Sequence, residues 1–213
     1  ECGALAQVVL KHDEIYVVAD EIYEHINFSG GHYSIAAVSG MQERTIVING
    51  MSKGFAMTGW RSGYMAAPLK IAQACDKIQG QFTSAPCSIA QKASSAGLNA
   101  DPIILEPMIT TYKKRRDLAV AAFSSIPLVK LAVPEGAFYL FPDLSAYIGR
   151  SNSKITINSM NDLADYLLEF YHVGVVSGEA FGCSNSIRLS FATSDELLLE
   201  GIERIKQGLL SLN

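Results

Sequence analysis

The sequence predicts an α/β fold: a mostly parallel sheet with helices on both faces, followed by a smaller α+β unit. Three observations predict it. The β-branched runs Ile15–Ala19 and Thr45–Asn49 both end abruptly in polar or glycine residues, as buried parallel strands do at their carboxyl edges. Helical stretches alternate with these runs, which is the pattern of a layered α/β sheet. After Gln81 the composition shifts to small-residue helix and then to short strands, placing a domain change near residues 100–110. The expected division is 1–105 and 106–213.

Each element has its own local reason. A first helix is read over Leu5–Lys11, and a third short strand over Gly63–Ala67, closed by Pro68. A helix follows over Leu69–Gln79 and another over Ser84–Ala96. Asp101-Pro102 supplies an N-cap and a first-turn proline for a long helix running to about Phe123. Short strands are expected at Val129–Val133, Ala137–Phe141, Gly174–Val176 and Ser186–Ala192. The helix Asp162–Tyr171 carries Ser159 as cap with Asp162 three residues on. In the last helix Leu198, Ile202, Ile205 and Leu209 recur at helical spacing, and Thr193 with Glu196 reads as a capping box.

Composition excludes several function classes. A formal charge of -4 over 213 residues gives no electrostatic reason to bind nucleic acid or an anionic membrane. The run Lys113-Lys114-Arg115-Arg116 lies mid-helix without interleaved aromatics and reads as a solvated face. No apolar run approaches a membrane span, and no signal-peptide pattern is present. Cys2, Cys75, Cys87 and Cys183 are widely spaced and read as reduced thiols, which suits a cytoplasmic protein. His12, His25, His32 and His172 show no metal-ligand spacing, so no metal is expected. The chain opens without a methionine inside a helical stretch, so an N-terminal part of a longer protein is expected to precede it.

The chemistry concentrates in Asn49–Tyr64, "NGMSKGFAMTGWRSGY". Lys53 sits there among small and apolar residues, and a lysine so placed is paired, modified or used in chemistry. Asp20 with Tyr23, Ser52 with Lys53, and Arg61 stand at the ends of separate strands, where open α/β sheets bind ligands. A lysine amine can form a Schiff base with an aldehyde. Arginine and serine can hold a phosphate, a carboxylate can face a protonated ring nitrogen, and a tyrosine can bond a phenolic oxygen. Pyridoxal 5'-phosphate requires all four. Singly, Asp20 would serve as a helix cap and Tyr23 as core; the set at these spacings is what points to the cofactor.

"DEIYEHI", "NGMSKGFAMTGWRSGY", "GAFYLF" and "IRLSFA" occur in that order, and with them the whole chain resembles the C-terminal half of fold-type-I PLP-dependent aminotransferases. "KIQGQFTSAPCSIAQKA" and "EGAFYLFPDLSAY" are most similar to the bacterial and plant aspartate aminotransferase subgroup that uses aspartate, glutamate or prephenate. The resemblance implies that residues 1–105 are the C-terminal part of the large PLP-binding domain and 106–213 the small domain. It implies that Lys53 carries the cofactor as a Schiff base and moves the substrate proton. Asp20 would face the pyridine nitrogen, Tyr23 the phenolic oxygen, and Ser52 and Arg61 the phosphate. Arg188 would pair with the substrate α-carboxylate. A homodimer with a shared active site follows from the same resemblance, as does a cytoplasmic placement, or a plastid one for a plant or algal source. Two departures stand out: Gly50 where many members have serine, and Ser62 where the position is usually aliphatic. A C–S lyase, an aminocyclopropane-type synthase, a non-catalytic aminotransferase-like module and an inactive fragment remain alternatives.

Overall fold

The computed structural model describes residues 1–213 and divides into two compact units, Glu1–Ile109 and Thr110–Asn213. In the first unit a helix α1 (Cys2–Val9) leads to strand β1 (Val17–Asp20), then β2 (Thr45–Gly50) and β3 (Gly63–Ala66). Helices α2 (Leu69–Phe82) and α3 (Ser88–Leu98) follow. A 3-10 turn, Pro102–Leu105, then opens helix α4 (Glu106–Ser124). Asp101 caps that turn by accepting the Ile103 N–H, with Pro102 at its first position, because a proline there gives up no needed donor. α3 begins at Ser88, not Ser84: Ser84 adopts a left-handed conformation, and Pro86 disfavours helix in the residue before it.

The sheet order is β1-β2-β3. β1 pairs parallel with β2, but β3 pairs antiparallel with β2, so the sheet is mixed and not mostly parallel. The reason lies in the connection. Met51–Ser62 hold no α-helix to carry the chain across the sheet; they fold back on themselves, the Met51 N–H donating to Ser62 O, and return the chain antiparallel. β1 alternates between half-buried and exposed residues, and Val18 is 68 % exposed, so this strand is not covered on both faces. Ile26, Met41 and Met51 are the fully buried anchors beneath the sheet's loops.

The second unit holds strands β4 (Tyr139–Leu140), β5 (Val176–Ser177) and β6 (Ile187–Ser190), with helices α5 (Met160–Tyr171) and α6 (Asp195–Leu210). The strand order is β4-β6-β5, antiparallel throughout. The segment expected as a strand at Val129–Val133 contributes only a single bridge, Lys130 to Asp143. Its core joins Leu140, Ile187 and Phe191 to Met160, Leu163 and Leu167 of α5 and to Ile202, Ile205 and Leu209 of α6, all fully or nearly fully buried. The α5 capping box forms as the sequence indicates: Ser159 Oγ accepts the Asp162 N–H, and Asp162 accepts the Ser159 N–H. At α6 the cap is Ser194, which accepts the Leu197 N–H, and not Thr193. The helix begins one residue later than the Thr193–Glu196 pattern implies, which frees Asp195 to pair with Lys114 at 2.6 Å and Arg115 at 3.2 Å. Arg116 pairs with Asp117 at 2.7 Å, so the basic run is largely paired within its own unit.

Candidate active site

The register of the first sheet puts the predicted residues at one edge. Asp20 ends β1 opposite Ile48, and β2 continues to Gly50 before the loop that carries Ser52 and Lys53. Gly63 opens β3 directly across from Gly50, so Arg61, two residues earlier, lies at the same end. The antiparallel turn is what achieves this. In a parallel β3 the residues preceding the strand would sit at the opposite end of the sheet, on the order of 10–15 Å away.

The connecting loop satisfies much of its backbone internally, which holds Lys53 in place. The Met51 N–H donates to Ser62 O at 3.1 Å and closes the loop's base. The Met57 N–H donates to Met51 O, the Ala56 N–H to Lys53 O, and the Trp60 N–H to Met57 O. Thr58 Oγ1 donates to Ser52 O at 2.7 Å, tying the residue before the lysine to the far side of the loop. Arg61 has a left-handed backbone (φ 51°, ψ 49°), and its Nη1 donates to Thr58 O at 3.0 Å. Ala56 also has positive φ, so two non-glycine residues of this loop hold costly conformations.

Lys53 is half-buried, less enclosed than its apolar neighbours in sequence imply. Its Nζ lies 6.0 Å from the Tyr23 ring centroid, so lysine and tyrosine come together from loops that follow different strands. Asp20 is exposed, and its Oδ1 accepts the Ile22 N–H at 3.2 Å, which orients the turn leading to Tyr23. The departures noted in the sequence both have structural reasons. A Cβ on Gly50 would meet Gly63 Cα at 2.8 Å and Ser62 O at 3.0 Å. Ser62 is buried, and its hydroxyl bonds the Ser94 hydroxyl at 2.7 Å, satisfying a group an aliphatic residue would not present.

Next to Asp20 lies a second cluster that no sequence motif announces. Glu21 accepts from Ser34 Oγ at 2.6 Å and contacts His32 Nε2 at 2.9 Å. Glu24 pairs with His25 at 3.0 Å. Ligating atoms of Glu21, Glu24 and His32 lie within 4.8 Å of one another, but Glu21 is engaged in fastening the 32–34 segment. Burial, with Glu24 and Glu21 adding to it, pushes the Tyr64 hydroxyl up. Only the tertiary fold reveals these partners, because Glu21, His32 and Tyr64 share no sequence spacing.

Arg188 lies on β6, the central strand of the second unit. Its Cζ is 4.6 Å from the Tyr139 ring centroid and 4.3 Å from that of Phe181. Neither ring was singled out from sequence, although Tyr139 lies in the "GAFYLF" motif. The signal that could have found it is the β4–β6 register.

A carboxylate, a phenol, an amine, a hydroxyl and a guanidinium thus stand at one end of the first sheet. The residues fit pyridoxal phosphate by chemistry: a serine hydroxyl and an amine stand side by side at the start of the loop, the amine 6.0 Å from a phenol ring, and an arginine stands at the loop's end. The chain matches the family model for aminotransferase class I and II over residues 1–205. The chain belongs to that family, whose aspartate aminotransferases depend on pyridoxal phosphate. It is 44% identical over 213 residues to the bifunctional aspartate aminotransferase and glutamate/aspartate-prephenate aminotransferase of Petunia hybrida, covering 98% of the chain and 44% of that protein. It is 42% identical to the aspartate/prephenate aminotransferase of Nitrosomonas europaea, covering 96% of the chain and 53% of that protein. The crystal structure of the aspartate aminotransferase from Rhizobium meliloti superposes with a TM-score of 0.94 at 39% identity, covering 98% of this chain and 53% of that one. The chain thus spans about half the length of the relatives it matches. No helix is long and apolar enough to cross a membrane.

Proposed function

We propose that the protein containing this chain is a pyridoxal phosphate-dependent aminotransferase with Lys53 as its catalytic residue. It moves an amino group from aspartate or glutamate to 2-oxoglutarate, oxaloacetate or prephenate in two half-reactions. The observation that carries the reading is the placement of Asp20, Tyr23, Ser52, Lys53 and Arg61 at one end of the first sheet, Lys53 beside Tyr23, in a chain 44% identical to an aspartate and prephenate aminotransferase.

When bound, pyridoxal phosphate supplies an aldehyde for amino groups and a ring that draws electrons from the substrate Cα. Lys53 would be the amine that holds it covalently, and its free amine would take and return a proton at the substrate Cα. Asp20 keeps a proton on the ring nitrogen by presenting a carboxylate to it. Tyr23 donates to the phenolic oxygen. Ser52 and Arg61 grip the phosphate, arginine being suited to bidentate contact. Arg188 pairs with the substrate α-carboxylate, for which its planar fork is equally suited. In this reading 1–105 is the C-terminal part of the large cofactor domain, with helices on both faces of its sheet, and 106–213 the small domain. The whole enzyme is a homodimer with a shared active site, in cytoplasm or plastid. The lyase, synthase and non-catalytic alternatives are not favoured, since the curated relatives carry aminotransferase names.

The test uses the full-length protein. Lys53→Ala is expected to abolish both transamination and the cofactor adduct fixed by borohydride and read by intact mass. Retention of both by the variant would overturn the assignment.

A further inference from the structure

Arg188 has unusual company. Tyr139 and Phe181 bring their ring centroids to 4.6 and 4.3 Å of its guanidinium carbon. No carboxylate of the second unit lies within ion-pairing distance of it; the ion pairs of that unit join Asp195 to Lys114 and Arg115, Asp117 to Arg116, and Glu200 to Arg204. A half-buried cation without a counter-ion in its unit is held by aromatic rings instead. Rings that engage the π-surface of a guanidinium leave its in-plane N–H groups for a planar anion.

The two rings are themselves fixed. Tyr139 pairs with Ser190 across β4 and β6, which makes it the diagonal neighbour of Arg188 on one face of the sheet. It is backed by Phe138 at 4.8 Å, and Phe138 stacks on Tyr112 at 5.4 Å. Phe181 ends the 3-10 turn Gly178–Phe181 that follows β5, the other neighbour of β6, and meets Phe141 at 6.1 Å. That turn is wound tightly onto β6. The Gly178 N–H donates to Ser186 O at 2.7 Å, and a Cβ on Gly178 would collide with the Cys183 and Ser186 carbonyl oxygens. Arg188 therefore joins two aromatic series, one ending in Tyr112 and one in Phe141. Phe181 is still 48 % exposed, more than a purely structural aromatic requires.

We propose that Phe181 and Tyr139 are positioning residues for substrate: they hold the Arg188 guanidinium plane so that its donor edge meets the α-carboxylate of both the amino acid and the 2-oxo acid. This rests on the reading of Arg188 as the carboxylate-binding residue.

The experiment uses the full-length cofactor-loaded enzyme and the variants Phe181→Leu, Tyr139→Leu, Phe181→Tyr and Arg188→Leu. Phe181→Leu is expected to raise KM about tenfold for aspartate and for 2-oxoglutarate alike, with kcat within twofold and cofactor absorbance unchanged. Phe181→Tyr, which keeps a ring, should restore KM to within about twofold of wild type. In the Arg188→Leu background Phe181→Leu should add less than about twofold, because the ring then has no guanidinium to hold. An Arg188→Leu enzyme with wild-type KM would overturn the carboxylate reading itself. A large KM rise in Arg188→Leu with none in Phe181→Leu or Tyr139→Leu would overturn the positioning role alone. So would equal Phe181→Leu effects in both backgrounds.

Discussion

Gly50 of β2 and Gly63 of β3 face each other so closely that a Cβ on Gly50 would lie 2.8 Å from Gly63 Cα. This pinch is the base of the loop that carries Ser52, Lys53 and Arg61. The neighbouring atoms are backbone, which cannot swing aside as a flexible side chain could.

Gly50→Ala is accordingly expected to cost about 2 kcal/mol, within the range for overpacking a tight site. Calorimetry on the full-length protein should show the transition lowered by several degrees, with cofactor retained more weakly. An unchanged transition would mean that the two strands can separate without consequence.

Arg61 sits in the left-handed region, where a side chain costs about 1 kcal/mol relative to glycine. Arg61→Gly should raise the stability of the cofactor-free protein by up to that amount while weakening cofactor affinity at least tenfold. Arg61→Lys keeps the strain and also loses the bidentate fork, so it should weaken affinity without a gain in stability. Equilibrium dialysis and chemical denaturation measure the two effects separately.

Ser194, and not Thr193, caps α6. Ser194→Ala is expected to cost about 1 kcal/mol, and Thr193→Ala only a few tenths. Urea denaturation of the two variants side by side distinguishes them, and equal losses would contradict the observed cap.

Hydrogen bonds from Lys114 and then Arg115 hold the Asp195 carboxyl below the usual carboxylate range. A carboxyl lowered by folding stabilises the native state above its ordinary value, and that contribution is lost as pH falls through the lowered one. Asp195→Asn should therefore lower the urea midpoint at pH 7, and the gap to wild type should close as the pH drops below about 4. High salt should narrow it too, since Asp195 and Lys114 face solvent. A gap that is constant with pH would exclude the ion pairs as its source.

Much of this protein is written in local sequence. The run "TIVIN", the Asp101-Pro102 turn, the Ser159–Asp162 box and the four-three-four spacing of α6 each depend on residues within one or two turns of chain. Asp20, Tyr23, Ser52, Lys53 and Arg61 were legible as candidates for a related reason: the chemistry of one cofactor restricts which residue types can serve it; Arg188 became a candidate through the order of the motifs. Tertiary structure decided the rest. The direction of β3, and with it the side of the sheet on which Arg61 falls, depends on a strand pairing that hydrophobic pattern alone does not encode, since parallel and antiparallel neighbours bury the same face. Tyr139 reaches Arg188 from another strand through the β4–β6 register, Phe181 reaches it through a turn wound against Ser186, and His32 and Ser34 reach Glu21 across an intervening loop. Sequence by itself determined which groups this chain brings to its chemistry; only packing between distant segments decided which of them meet, because contact is a property of folded distance and not of spacing along the chain.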